Sequence, residues 1–214
     1  VDTLAELHAV DYAAAGLAGL GRPAGYVERQ VEGWRQRYAR AATDHVPALD
    51  AAGAWLAAHL PPPAGAALIH NDFKLDNVVL AADDLAQVVA VLDWEMATIG
   101  DPLMDLGVTL AYWIEEGDPP VLQRIGLGLL PGSLRRAEVV VRYAERRGLD
   151  AADLAARMPF YYAFGLFKVA VIAQQIYYRY RQGHTRDPRF GGLGAVVAAC
   201  AEMAVKGLNL DLQD

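Results

Sequence analysis

The most informative segment of the sequence is His70-Asn71-Asp72-Phe73-Lys74-Leu75-Asp76-Asn77, followed further along the chain by Asp93-Trp94-Glu95. The first segment concentrates residue types that are rare elsewhere. The 214 residues include only three lysines and three asparagines, and three of these six fall between positions 71 and 77. This local enrichment indicates a site that needs carboxylate, amide and ammonium groups together.

Short apolar runs surround both segments. Residues 66–70 are apolar, and the β-branched runs 78–80 and 88–92 are separated by the polar turn Ala82-Asp83-Asp84. Such runs, bounded by a turn, predict a β-hairpin. The sequence therefore predicts one β-hairpin segment, residues 66–95, between a helical segment 1–60 and a helical segment 101–214.

The flanking segments show the apolar period of α-helices. Val27, Val31, Trp34 and Tyr38 recur at helical spacing, and later segments repeat the pattern. Further helices are predicted near residues 49–60, 103–113, 121–130, 134–147, 151–157, 159–181 and 193–207. The chain is thus expected to form a single mostly helical α+β domain.

Composition narrows the function class. The net charge of −7 argues against a protein that binds nucleic acid by general electrostatics. The single Cys200 permits neither an internal disulfide nor a cysteine zinc site. The segment 159–178 is the nearest approach to a membrane span, but Lys168 and two glutamines interrupt it, which favours a buried helix. The N-terminus shows no signal-peptide pattern, so we expect a cytoplasmic protein without membrane or nucleic-acid partners.

The spacing of the polar residues fits phosphoryl transfer. Asp72 is placed to accept the proton of an attacking hydroxyl, and Lys74 to reach the transferred phosphate. Asn77 and Asp93, at facing ends of the predicted hairpin, offer an amide oxygen and a carboxylate to one Mg²⁺ ion. Asp72 and Lys74 are therefore the catalytic candidates, and Asn77 and Asp93 the candidates for binding the metal and the nucleotide phosphates.

The same residues carry a family resemblance. Asp-x-Lys-x-x-Asn is the spacing of the protein-kinase catalytic loop, and residues 70–77 resemble the His-Gly-Asp-x-x-x-x-Asn loop of aminoglycoside phosphotransferase-like (APH, choline kinase-like) small-molecule kinases. Asp93-Trp94-Glu95 is similar to their metal-binding aspartate, and residues 99–106 to their Gly-Asp-Pro-x-x-Asp-Leu segment. The segment Leu92 to Glu95 resembles the Leu-Asp-Trp-Glu segment typical of one branch of this family, which is related to kinase-like domains fused to acyl-CoA dehydrogenases.

The resemblance implies a protein kinase-like fold, of which this chain is the C-terminal lobe. It implies ATP (with GTP left open) and Mg²⁺ as cofactors and a hydroxylated small molecule as the acceptor. His70 is expected to brace the catalytic and metal-binding loops, and Asp105 to anchor the catalytic-loop backbone. Asp101, directly before Pro102, is expected to cap a helix.

Two departures from the family pattern stand out. Asn71 replaces the usual glycine, although asparagine tolerates a positive φ angle better than most residues. No glycine-rich strand-turn-strand and no strand lysine precede the catalytic loop, and these parts normally cover the nucleotide phosphates. We therefore expect the nucleotide-clamping N-terminal lobe to lie outside these 214 residues, as a further partner.

Two other interpretations stay open at this point. The chain could be a non-catalytic binding module or a degenerate lobe that is inactive without its N-terminal lobe. It could also be a metal-dependent hydrolase that uses His70, Asp72 and Asp93, although no second histidine lies at a ligand spacing. Asp76 is expected to face solvent or to accept a hydrogen bond within the loop, and Glu95 is equally consistent with a supporting role and with a surface charge.

Overall fold

In the computed structural model of the protein, residues 1–123 and 132–210 are described, and helices dominate this part of the chain. The helices are α1 Asp2–Ala9, α2 Tyr26–Ala41, α3 Pro47–Ala58, α4 Pro102–Tyr112, α5 Pro120–Gln123, α6 Arg136–Arg147, α7 Ala151–Arg181 and α8 Leu193–Gly207. The strands are β1 Ala67–Ile69, β2 Val78–Leu80, β3 Val88–Val91 and β4 Thr98–Gly100.

Helix α7 is the centre of the core and contacts α2, α3, α4, α6 and α8. Its contact with α4 is a backbone-to-backbone approach at Gly107 and Gly165. A Cβ atom added at Gly107 would overlap the carbonyl group of Tyr161, and one added at Gly165 would overlap the carbonyl group of Gly107. Close packing here fixes α4, which begins beside the polar segment 70–77, against the long helix.

The prediction of two helices at 151–157 and 159–181 is wrong, because α7 runs unbroken from Ala151 to Arg181 with Pro159 inside it. An internal proline removes one helical hydrogen bond and costs about 3 kcal/mol. Burial of Phe160, Tyr161 and Phe164 directly after it offsets that cost. The predicted helix 121–130 begins with α5, and its part from residue 124 onward lies outside the described residues.

The strands form two separate antiparallel pairs, where the sequence predicted one hairpin segment ending at residue 95. The hairpin β2–β3 is present, with Val78 opposite Val91. Strand β1 instead pairs with β4, which was not predicted, and Ile69 lies opposite Thr98. A strand of only three residues, Thr98-Ile99-Gly100, is too short to show an alternating pattern.

One stretch of the described residues, Pro188–Gly207, is long and apolar enough to cross a membrane by length and composition alone. It differs from residues 159–178, which the sequence singled out. Helix α8, which forms most of it, packs on α3 and α7 and buries Val196, Val197 and Cys200. Core helices pass the same test of length and composition, so the stretch is weak evidence for a membrane span.

Candidate active site

The two strand pairs bring two loops together. One loop, residues 70–77, leaves β1 and enters β2, and we call it the Asp72 loop. The other, residues 92–97, leaves β3 and enters β4, and we call it the Asp93 loop. Because β1 pairs with β4 and β2 pairs with β3, each loop is anchored beside the other at both of its ends.

Asp72 is the centre of a compact polar cluster. Its Oδ2 atom accepts a hydrogen bond of 2.8 Å from Lys74 Nζ and one of 3.0 Å from Asn77 Nδ2. Asn77 Nδ2 also donates to the Asp72 carbonyl oxygen over 2.8 Å. The structure therefore brings together three of the side chains that the sequence singled out, around one half-buried carboxylate.

Asp93 lies across the hairpin from Asn77. The Leu92 amide donates to the Asn77 carbonyl oxygen over 2.8 Å, and Asp93 follows Leu92 in the chain. Asp93 is exposed and has a left-handed backbone with φ of 64°. Within residues 1–123 and 132–210, no protein group donates a hydrogen bond to the Asp93 carboxylate or to the Asn77 side-chain oxygen, so both are available to a ligand.

By ligand type, an amide oxygen and a carboxylate suit a magnesium ion. Mg²⁺ prefers oxygen ligands and often takes only one or two from protein, while water and phosphate oxygens complete its octahedron. The described part of the chain contains no cluster of three His, Cys, Asp or Glu side chains that could hold a metal by themselves. One amide and one carboxylate would leave most positions around such an ion to water or phosphate oxygens.

His70 connects the two loops and has no ring nitrogen to spare. Its Nε2 atom donates to the Leu92 carbonyl over 2.8 Å, and its Nδ1 atom lies 3.3 Å from the Asp72 amide, which donates to it. The ring also packs edge-on against Trp94, with 4.9 Å between the centroids. With both nitrogens engaged, His70 is poorly suited to bind a metal, and this geometry disfavours the hydrolase interpretation.

Asp105 is fully buried and holds the backbone at the start of the Asp72 loop. Its two oxygens accept hydrogen bonds from the amides of His70, at 2.7 Å, and Asn71, at 2.8 Å. His8 Nε2 lies 3.1 Å from Oδ2. Burial acts to raise the pKa of Asp105, but hydrogen bonds from His8 and the His70 amide outweigh it and hold the pKa below its ordinary value.

Asp101 acts at the beginning of α4. Its side chain accepts hydrogen bonds from the amide of Leu103, at 2.9 Å, and from the amide of Ala64, at 2.8 Å. The first bond caps the helix, and the second ties the helix start to the segment before β1. Both contacts give Asp101 a structural role at the start of α4.

Asn71 adopts the left-handed conformation, with φ of 68°, although it stands where the family usually has glycine. Its side chain makes two hydrogen bonds of 3.0 Å each. The Tyr26 hydroxyl donates to Oδ1, and Nδ2 donates to the carbonyl of Met96 in the Asp93 loop. These bonds fix the two loops to each other and to α2, which a glycine could not do.

The sequence interpretation missed three residues that contact the site: His8, Tyr26 and Lys168. Lys168 is the most informative, because its Nζ atom donates to the Asn71 carbonyl over 2.6 Å. A signal was present, since Lys168 is the one charged residue between positions 159 and 178. His8 and Tyr26 carried no comparable signal.

A mostly helical domain that carries an Asp-x-Lys-x-x-Asn loop beside a second aspartate loop defines the class of kinase-like phosphotransferases. The model of the phosphotransferase enzyme family (APH) matches residues 1–139, and the chain belongs to this family. The predicted family and the predicted mostly helical, kinase-like fold are thereby confirmed.

A solved structure supports the same fold. A protein from Ralstonia eutropha, provisionally described as an aminoglycoside phosphotransferase, superposes with a TM-score of 0.82 at 30% identity. The match covers 99% of this chain and 64% of that one.

The similar curated proteins are named as members of the acyl-CoA dehydrogenase family. Acyl-CoA dehydrogenase family member 11 from Gallus gallus is 35% identical over 98% of this chain, which spans 27% of that protein. Family member 10 from Mus musculus is 32% identical over 94% of this chain, which spans 19% of that protein. The chain thus corresponds to roughly a quarter or less of these relatives.

Proposed function

We propose that this chain is the catalytic and acceptor-binding lobe of a kinase that transfers the γ-phosphoryl group of ATP to a hydroxyl group of a small molecule. The observation that carries the proposal is the Asp72 carboxylate, bracketed by Lys74 and Asn77 at 2.8 and 3.0 Å. The Asp93 loop lies directly beside this cluster. Membership of the phosphotransferase family supports the reaction type.

Each group of the cluster has a role in such a reaction. Asp72 orients the acceptor hydroxyl and takes its proton as the new O–P bond forms and the bond to ADP breaks. Lys74 places a positive charge where negative charge spreads over the transferred phosphoryl oxygens. Asn77 and Asp93 would hold Mg²⁺, which when bound neutralises charge on the nucleotide phosphates.

The proposed acceptor is a hydroxylated acyl compound or another hydroxylated metabolite. The names of the similar curated proteins, acyl-CoA dehydrogenase family members 10 and 11, support an acyl compound over an aminoglycoside. We further propose that a nucleotide-clamping lobe outside these 214 residues completes the ATP site, and that the protein works in the cytoplasm without nucleic-acid or membrane partners.

The test is transfer of γ-phosphate from labelled ATP, in the full-length natural protein, to a panel of hydroxylated acyl compounds and aminoglycosides. Asp72→Asn keeps the size of the side chain but removes the base, so we expect a rate loss of about 10²- to 10⁴-fold. Asp76→Asn is the matched control, because Asp76 is an exposed carboxylate in the same loop and its change should leave the rate within about twofold. An Asp72→Asn rate near that of the wild type would refute the role of Asp72.

A second candidate function is a binding module without turnover. The ion pair between Lys74 and Asp72 favours it, because in this arrangement the lysine occupies the carboxylate that would serve as the base. Calorimetry with Mg·ATP separates the candidates. Tight binding of Mg·ATP by the full-length protein, without transfer to any acceptor and without an effect of Asp72→Asn, would favour the binding module.

A further inference from the structure

Lys168 is a buried cation on the central helix, and the proposed reaction does not use it directly. It is 3% exposed, and within residues 1–123 and 132–210 it forms no ion pair. Its Nζ atom donates one hydrogen bond, over 2.6 Å, to the carbonyl oxygen of Asn71. The centroid of the Trp34 ring lies 5.5 Å from Nζ. Burying a charge without a contacting carboxylate is costly.

The hydrogen bond from Lys168 acts on the backbone that carries Asp72. The carbonyl of Asn71 and the amide of Asp72 belong to one planar peptide group. Lys168 holds the carbonyl end of that group, and the His70 ring accepts a hydrogen bond from its amide end at 3.3 Å. A rotation of this peptide would redirect the Asp72 side chain, and it is opposed at both ends.

The peptide before it is held as well. The Asn71 amide donates to Asp105 over 2.8 Å, so buried groups on α4 and α7 hold Asn71 from both sides. The backbone of Asn71 is in the left-handed region, which few residues other than glycine adopt without cost. A strained conformation persists only where its surroundings determine it, and Lys168 is part of those surroundings.

We propose that Lys168 is a positioning residue for Asp72: its ammonium group fixes the peptide between Asn71 and Asp72 and thereby the direction of the Asp72 carboxylate. The inference rests on the proposed function, because it takes Asp72 as the group that meets the acceptor hydroxyl. Because Lys168 is buried and its ammonium group is bound to the Asn71 carbonyl, the inference gives it no direct contact with nucleotide or acceptor.

Two variants and one control test the proposal. Lys168→Met keeps a long apolar side chain beside Trp34 and removes only the donor and its charge. Lys168→Arg keeps both, so it should recover most of what Lys168→Met loses. Gln174→Leu is the control, because Gln174 is also buried on α7 and also donates to a backbone carbonyl, that of Ala41, over 2.8 Å.

The first readout is hydrogen–deuterium exchange of the amides in residues 70–74 of the full-length protein. We expect exchange in Lys168→Met to be at least about tenfold faster there, while Gln174→Leu leaves this segment as in the wild type. Unchanged exchange in Lys168→Met would overturn the proposal. This readout needs no activity, so it stands even where the proposed phosphotransfer fails in the wild type.

The second readout is kinetic. For wild-type protein with measurable transfer, we expect Lys168→Met to lower kcat by about 10- to 100-fold, because displacement of a reacting group costs rate. The KM for the acceptor should stay within about threefold, since a side chain as buried as Lys168 is not expected to contact it. An equal loss of kcat in Gln174→Leu, or no recovery in Lys168→Arg, would show a purely structural role and overturn the proposal.

Discussion

The burial of Lys168 predicts an unusual dependence of stability on pH. Burial lowers the pKa of its ammonium group from the ordinary 10.5 to about 8, and attraction to Asp105 and Asp72 only partly opposes this. Between these pKa values the unfolded chain binds one proton more than the folded chain, so stability rises with pH. Relative to a Lys168→Met variant, the wild type should therefore gain about 2 to 3 kcal/mol in free energy of unfolding from pH 7 to pH 10.

The assay is urea unfolding of both proteins at several pH values between about 7 and 10. The comparison with Lys168→Met is essential, because buried tyrosines also make stability depend on pH. Burial raises the pKa of Tyr38, for example, to about 12, so its ionisation near pH 10 in the unfolded chain lowers the stability of both proteins. The difference between the two proteins cancels these shared contributions. A difference that stays constant across this range would refute the reasoning, since Lys168 would then keep its ordinary pKa.

Three further outcomes follow from packing and burial. Gly107→Ala should destabilise the protein by about 3 kcal/mol or more in thermal unfolding, because the new methyl group overlaps the Tyr161 carbonyl. Gly33→Ala should instead stabilise the protein by about 0.5 to 1 kcal/mol, because a Cβ atom there meets only the end of the Arg37 side chain, at 3.9 Å. Equal effects of the two changes would contradict the packing of α4 on α7. Asp105→Ala should lower the free energy of unfolding in urea by about 3 to 5 kcal/mol, because two buried amides lose their acceptor. A decrease below about 1 kcal/mol would contradict the anchoring role. Cys200 should react with a thiol reagent at pH 8 only after unfolding, because burial raises its pKa to about 12, and rapid labelling of the native protein would contradict its burial.

The sequence predicted the parts of the site that depend on local pattern. The β-branched runs around a polar turn predicted the hairpin β2–β3, and Asp72, Lys74 and Asn77 lie within one short loop. Residues that are close in sequence are also close in space. Their grouping could therefore be inferred before the strands were known.

The parts that depend on distant contacts could not be predicted. Strand β4 exists because it pairs with β1, and three residues carry no periodic signal of their own. Helix α7 continues through Pro159 because tertiary packing outweighs local propensity. The bond from Lys168 to Asn71 joins residues 97 positions apart, and only the packing of α7 beneath the Asp72 loop brings them together.

The proposed function requires the Asp72 and Asp93 loops to hold one divalent ion together on the nucleotide phosphates. The most direct measurement replaces Mg²⁺ by Mn²⁺ and follows the binding of Mn·ATP to the full-length protein by electron paramagnetic resonance. Asp93→Asn should weaken Mn·ATP binding by at least about tenfold, because it removes a charged ligand, whereas Asp83→Asn on the hairpin turn should leave it unchanged. Equal affinities of the wild type and Asp93→Asn would contradict a metal-binding role for Asp93.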